Sequence, residues 1–264
     1  MKSAPMSEQI KGHPVVSPSE WLAARQALLR EEKEYMRLGD KLSALRRELP
    51  WVKVEKDYRF QGPEGEVSLA DLFDGRSQLF VQHFMFGPDW EEGCVGCSFT
   101  ADHVDCARVH FQQRDLSFVA IARAPLEKLT AYQQRMGWTF RWVSSSGSDF
   151  NYDFGVSFTP EQIASGHIFY NYAMEEAEIE DLPGISVFHK DDQGNIFHTY
   201  SGYGRGMEVL DGVYMFLDLA PKGRDEAHLD NPTSWWRRHD RYETDGRSAP
   251  GLPVPAEKSS CCCA

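Results

Sequence analysis

The chain has 264 residues, 41% hydrophobic and 12% aromatic, enough to bury the core of one elaborated domain or two small ones. A formal net charge of -12 excludes a nucleic-acid partner, whose phosphates need clustered Lys and Arg; Arg46-Arg47 and Arg237-Arg238 sit among acids. No stretch approaches the ~20 apolar residues of a membrane span, and the polar start has no signal-peptide run, so the sequence predicts a cytoplasmic protein.

Residues 1–18 read as disordered, and a helix is expected over 19–50, capped by Ser17 or Ser19 and stopped by Pro50. Trp21, Leu28, Tyr35, Leu42 and Leu49 recur along it at heptad spacing. That stripe suits packing on its own domain or, alternatively, a homodimer through the N-terminal helix. A single domain is expected over 51–245 and a disordered Gly/Pro/Ser tail over 246–264. Within the domain, Val52–Val54 and Tyr58–Phe60 read as short strands, and Ser68 caps a short helix through Phe73. Leu79–Phe86 is apolar on both faces, which marks a central strand. A helix runs from the cysteines to Arg114, then come a strand (Ser117–Ala122), a helix (Pro125–Met136) ended by Gly137, and a strand (Trp138–Val143). Residues 150–182 read as an irregular insertion. Ile185–His189 and Ile196–Tyr200 form a hairpin around Asp191–Gly194, and Met207–Leu219 reads as the last helix. Strands alternating with helices, then a hairpin and a helix, predict an α/β sandwich.

Six cysteines are present, three of them in the tail (Cys261, Cys262, Cys263) and three between Cys94 and Cys106. A structural disulfide framework would spread them along the chain, so Cys94-Val95-Gly96-Cys97 reads as a chemical centre. The motif lies between a central strand and a helix, where the helix N-terminus stabilises a thiolate. Cys94 is then the exposed nucleophile and Cys97, one turn inside, the resolving thiol. Glu91 and Glu92 oppose the acidification. The tail ending Cys261-Cys262-Cys263-Ala264 loosely fits a prenylation box, but its middle residues are not aliphatic and no polybasic run precedes it.

Several segments carry a resemblance. They are Phe84 to Gly87, Gly93 to Phe99, Ala101 to His103, Arg123 to Leu126, Arg135 to Trp138, Ser145 to Gly155, Leu182 to Tyr200, and His239 to Tyr242. Together they resemble the domain of unknown function 899 family, bacterial and fungal proteins grouped with thioredoxin-like folds. The likeness covers nearly everything between residues 20 and 245. It implies a thioredoxin-like three-layer sandwich with a long N-terminal helix and an insertion before the Pro183 strand. Members are called dithiol-disulfide oxidoreductases because of the motif. Cys106 departs from the glycine usual at that position. The resemblance also implies that Pro183 is cis and faces the dithiol as a platform for an extended substrate. A trans bond there favours a binding module over exchange.

His83, eleven residues before Cys94, is a candidate proton acceptor for the second thiol. Trp90 and Trp138 are candidates to line a substrate groove, with Phe140 and Trp142 beside them. His103, Cys106 and His110 share a helix face; the two histidines lie ~10 Å apart along the axis, too far to share an ion. The preferred reading assigns no metal and no cofactor. It is thiol–disulfide exchange on a disulfide-bearing protein or a small thiol substrate, the alternatives being a metal- or ligand-binding module and a thiol peroxidase. Peroxidases of the peroxiredoxin type need a Thr or Ser three residues before the reactive cysteine and a Pro seven before. Glu91 and Gly87 stand there for Cys94, Cys94 and Trp90 for Cys97.

Overall fold

The computed structural model describes residues 13–242. The disorder expected at the start of the chain and over 246–264, with the Cys261–Cys263 run, falls mainly or wholly outside the described residues. The chain divides into two compact units at Pro50. The first holds α1 (Pro18–Arg47), opened by a capping box in which Ser17 and Glu20 satisfy each other's backbone N–H groups. Pro18 sits at its first turn, and Arg46 and Arg47 face the negative end of its dipole. No described helix is long and apolar enough to cross a membrane.

The second unit runs in chain order through β1 (Val52–Lys53), β2 (Arg59–Gly62), β3 (Gly65–Ser68), β4 (Gln78–His83), α2 (Val95–Gln112), β5 (Leu116–Ala122), α3 (Leu126–Met136) and β6 (Arg141–Ser144). The insertion follows, containing α4 (Phe150–Asp153), α5 (Pro160–Ala164) and a small hairpin, β7 (Ile168–Tyr170) and β8 (Ala173–Glu175). Then come β9 (Gly184–Lys190), β10 (Ile196–Tyr203) and α6 (Val213–Leu217). Eight strands make one sheet in the order β1-β10-β9-β4-β5-β6-β2-β3. β4, β5 and β6 are parallel, while β9 lies antiparallel to β4 and β10 antiparallel to β9. A parallel β4–α2–β5 unit with the β9–β10 hairpin on the far side of β4 is the thioredoxin-like arrangement.

Alternation along the central strands builds two cores. One packs α2 and α3 on the sheet through Phe84, Cys97, Leu129, Tyr132 and Trp142; the other buries Leu79, Val81, Phe150 and Phe188. This second face is covered by short pieces, the 3-10 turn Ala70–Phe73 and α4. The sequence-based expectation missed β3 and the short helices and hairpin within the 150–182 insertion, and it failed in extent at two further elements. β6 starts only at Arg141, because the Asp105 carboxylate takes the N–H groups of Thr139 and Phe140 that a strand would have used. The single helix expected over Met207–Leu219 is instead a 3-10 segment, Gly204–Leu210, and the short α6. Asp211 separates them with an extended-side ψ of 73° and a carboxylate bonded to Thr100 of α2.

Candidate active site

Beyond His83 the chain leaves the sheet and returns, and the Cys94 N–H donates to the Met85 carbonyl at 3.0 Å. Gly93 is required on this return: a Cβ there would lie 2.6 Å from the Phe84 ring. Cys94 is the N-cap residue of α2, with extended-side ψ of 137°, and its carbonyl accepts from the backbone and hydroxyl of Ser98 at 3.0 and 2.7 Å. Cys97 is buried one turn in, and its sulfur accepts from the Met85 N–H at 3.4 Å.

The Cys94 thiol is acidified, to a pKa of about 6. The hydrogen bond from the Cys97 thiol does most, joined by the N–H groups of Cys97 and Gly96 and the charge of Arg238, against burial. Cys97 is pushed well above the ordinary thiol range, by its bond to Cys94 and by burial. The expected opposition from Glu92 is cancelled: Arg135, Arg238 and Arg241 all pair with it, at 2.6, 2.9 and 3.1 Å. Arg238 also donates to the Gly93 carbonyl at 2.6 Å and to the Tyr132 hydroxyl at 2.8 Å. Tyr132 bonds Ser98, so one guanidinium grips the loop on both sides of Cys94.

The two thiols open into a cavity of about 900 Å³. Its walls come from Pro183 and from the chain between Gly204 and Trp236. Trp236 stacks on Phe99 with centroids 4.7 Å apart and planes at 10°, and its ring comes within 3.0 Å of where a Cβ on Gly96 would stand.

Of the residues expected here, Cys94, Cys97 and Pro183 line this one cavity. The peptide before Pro183 is trans, which corrects the cis expectation. The trans isomer is the intrinsically favoured one. Hydrogen bonds from the insertion hold the approach to β9: Leu182 N–H to Val156, and the Tyr170 hydroxyl to the Pro183 carbonyl. His83 does not join the thiols. Strand alternation turns it to the opposite face of the sheet, where it stacks near Phe150 and Phe154 and bonds Ser186 at 2.8 Å. Burial pushes its pKa down to about 3. Its neighbour Gln82 occupies the α2 side, donating to the Cys97 carbonyl at 3.0 Å. Trp138 is a core residue, its indole N–H on Asp102 at 2.7 Å. Trp90 lines a separate shallow cleft with Glu91 and Arg241. Trp236 holds the place expected of them. Both ring nitrogens of His103 are engaged, by the Phe99 carbonyl at 2.7 Å and the Val213 N–H at 3.3 Å, which leaves no lone pair for a metal. Arg238, Asp211 and Trp236 carried no local signal; the match at His239 to Tyr242 was the nearest pointer.

A family model described as "Bacterial protein of unknown function (DUF899)" matches residues 10–242. No curated protein matches the chain. Among solved structures the chain is similar to a mutant of PrxQ from Xylella fastidiosa, at 12% identity and a TM-score of 0.40, over 63% of this chain and 95% of that one. It is similar to the peroxidoxin BcpB from Mycobacterium tuberculosis, at 13% identity and 0.40, over 62% and 96%. It is also similar to a putative thiol:disulfide interchange protein DsbE from Chlorobium tepidum, at 13% identity and 0.37, over 64% and 97%.

Proposed function

Because the chain belongs to the DUF899 family, whose description names no reaction, we propose its function from the dithiol: it is a thiol–disulfide oxidoreductase in which Cys94 attacks and Cys97 resolves. The observation that carries this is an acidified Cys94 backed by a buried Cys97 at one wall of a cavity. With a pKa of about 6, Cys94 is mostly thiolate at neutral pH, where a free cysteine is only a few per cent ionised. The thiolate attacks one sulfur of a substrate disulfide. The S–S bond breaks, a Cys94 mixed disulfide forms, and a thiolate leaves and takes a proton. Cys97 then loses its proton and attacks the Cys94 sulfur. The Cys94–Cys97 disulfide forms, the second thiolate leaves, and two electrons have passed to the substrate. A reducing thiol closes the cycle by the reverse exchange, and no cofactor enters.

The trans bond at Pro183 speaks for a binding module. The pairing of an acidified Cys94 with a buried Cys97 of raised pKa speaks for exchange, because it matches an attacking thiolate to a thiol held in reserve, whereas a metal site would need both sulfurs ionised. Mild oxidation followed by alkylation and mass spectrometry separates the two. Exchange requires a Cys94–Cys97 link that dithiothreitol reverses, and a Cys97→Ser variant that accumulates a mixed disulfide on Cys94. A protein that never forms the link refutes the proposal.

A further inference from the structure

The cavity over the dithiol also carries information about what reaches it, and this inference rests on the exchange reading above. Three features bear on the size of the substrate. An extended protein segment docks by adding main-chain hydrogen bonds to an open backbone edge. Here that edge is occupied: the Leu182 N–H is bonded to Val156, Pro183 has no N–H, and the Pro183 carbonyl accepts from Tyr170 at 2.5 Å. Gly184 is already paired with His83 on one side and Tyr203 on the other. Gly96 of the motif, which a docking protein would press against, is covered by Trp236, held by Phe99 and by its bond to the Tyr214 hydroxyl at 3.0 Å. What remains is a concave space of about 900 Å³, the size of a small-molecule site.

Charge then narrows the class. Of the two cations of the wall, Arg224 is tied down and Arg205 is turned out to solvent. Arg224 bonds Asp218 twice, at 2.8 and 2.9 Å, bonds Glu208, and lies 4.0 Å over the Tyr214 ring; Arg205 pairs with Glu208. Two lining carboxylates have no ion pair among the described residues. Glu226 accepts from Trp235 and Tyr214, and Asp211, only 4% exposed, accepts on one oxygen from Thr100, one turn beyond Cys97. The nearby imidazole of His103 is committed to Phe99 and Val213. A poorly hydrated carboxylate lining the same cavity as the thiols gains most from a cation brought by the ligand. Burial raises the Asp211 pKa to about 6, in keeping with that deficit.

We propose that the substrate is a low-molecular-weight disulfide carrying an ammonium group, which Asp211 and Glu226 receive while its sulfurs meet Cys94. The test uses the full chain, reduced and freed of reductant, mixed in turn with cystamine (cationic), 2-hydroxyethyl disulfide (neutral), 3,3′-dithiodipropionate (anionic) and insulin. Each rate of dithiol oxidation is divided by the rate of the same disulfide with free dithiothreitol. The work is done at ~0.5 M salt, where attraction by the whole chain is screened. Cystamine should lead the anion by roughly tenfold, with insulin slowest, and Asp211→Asn should lower the cystamine-to-neutral ratio toward one, Glu226 remaining. Equal normalised rates among the three small disulfides, or insulin ahead of cystamine, overturn the inference and leave the exchange reading standing. Oxidation by none of them overturns both. The wild-type comparison decides the matter even if Asp211→Asn does not fold.

Discussion

Arg238 and Cys94 are far apart in the chain and meet at the Gly93 carbonyl, a contact spanning 145 positions. Removing the guanidinium takes away a charge that favours the thiolate and loosens both ends of the loop. The sign follows: Arg238→Met should raise the Cys94 pKa toward the free value of about 8.5 and lower the thiolate fraction at pH 7. Iodoacetamide rates against pH measure this directly. Wild type should reach its plateau by neutral pH, the variant above it, and Arg238→Lys should recover part of the shift because the charge returns without the fork. An unchanged profile would remove Arg238 from the account of acidity. The two thiols themselves were legible, since a three-residue offset at a strand-to-helix junction is a local pattern. Arg238, Asp211 and Trp236 were not, because nothing near them in sequence refers to residues 94–100. The same applies to Glu92: its charge is plain in the sequence, the three arginines that neutralise it are not.

At the level of elements, the central strand shows how much a pattern conveys. That both faces of β4 are apolar was readable, as were β5, α3 and the β9–β10 hairpin. Which face receives α2 was not, and this misplaced His83. Its actual setting is a hydrogen-bonded row across three strands: His83 to Ser186 at 2.8 Å, Ser186 to Ser201 at 2.8 Å, and Ser201 to His198 at 2.7 Å. The row ties β4, β9 and β10 in register, and its members His83, Ser186 and Ser201 are buried away from water. Ser186→Ala leaves the buried His83 nitrogen without its partner, and should cost about 1–3 kcal/mol of stability. Urea unfolding would show a lower midpoint at similar slope, with Cys94 alkylation untouched. A wild-type midpoint would mean that the row is incidental. The 207–219 segment misled for a different reason. Its apolar spacing is helical, but Asp211 is drawn to Thr100, a tertiary bond that overrides the periodicity.

On the scale of the whole chain, the net charge of -12 sets the long-range field. The arginines near the motif do not reverse it, since Arg135, Arg238 and Arg241 are largely matched by Glu92 and Asp240. A dianionic aromatic disulfide such as Ellman's reagent should therefore react faster with the reduced protein as salt rises from about 0.02 to 0.2 M, because repulsion is screened. A rate that falls with salt would show that the local cations dominate the approach. Trp236 and Arg238, which cover and charge the motif, follow it by about 140 positions in the chain. Ribosomes deliver the chain from its N-terminus, so Cys94 and Cys97 emerge well before Trp236 and Arg238. Until those late residues arrive, the nascent dithiol lacks both its cover and the cation beside its sulfur. The dithiol thus acquires its full acidity only after Trp236 and Arg238 have followed it off the ribosome.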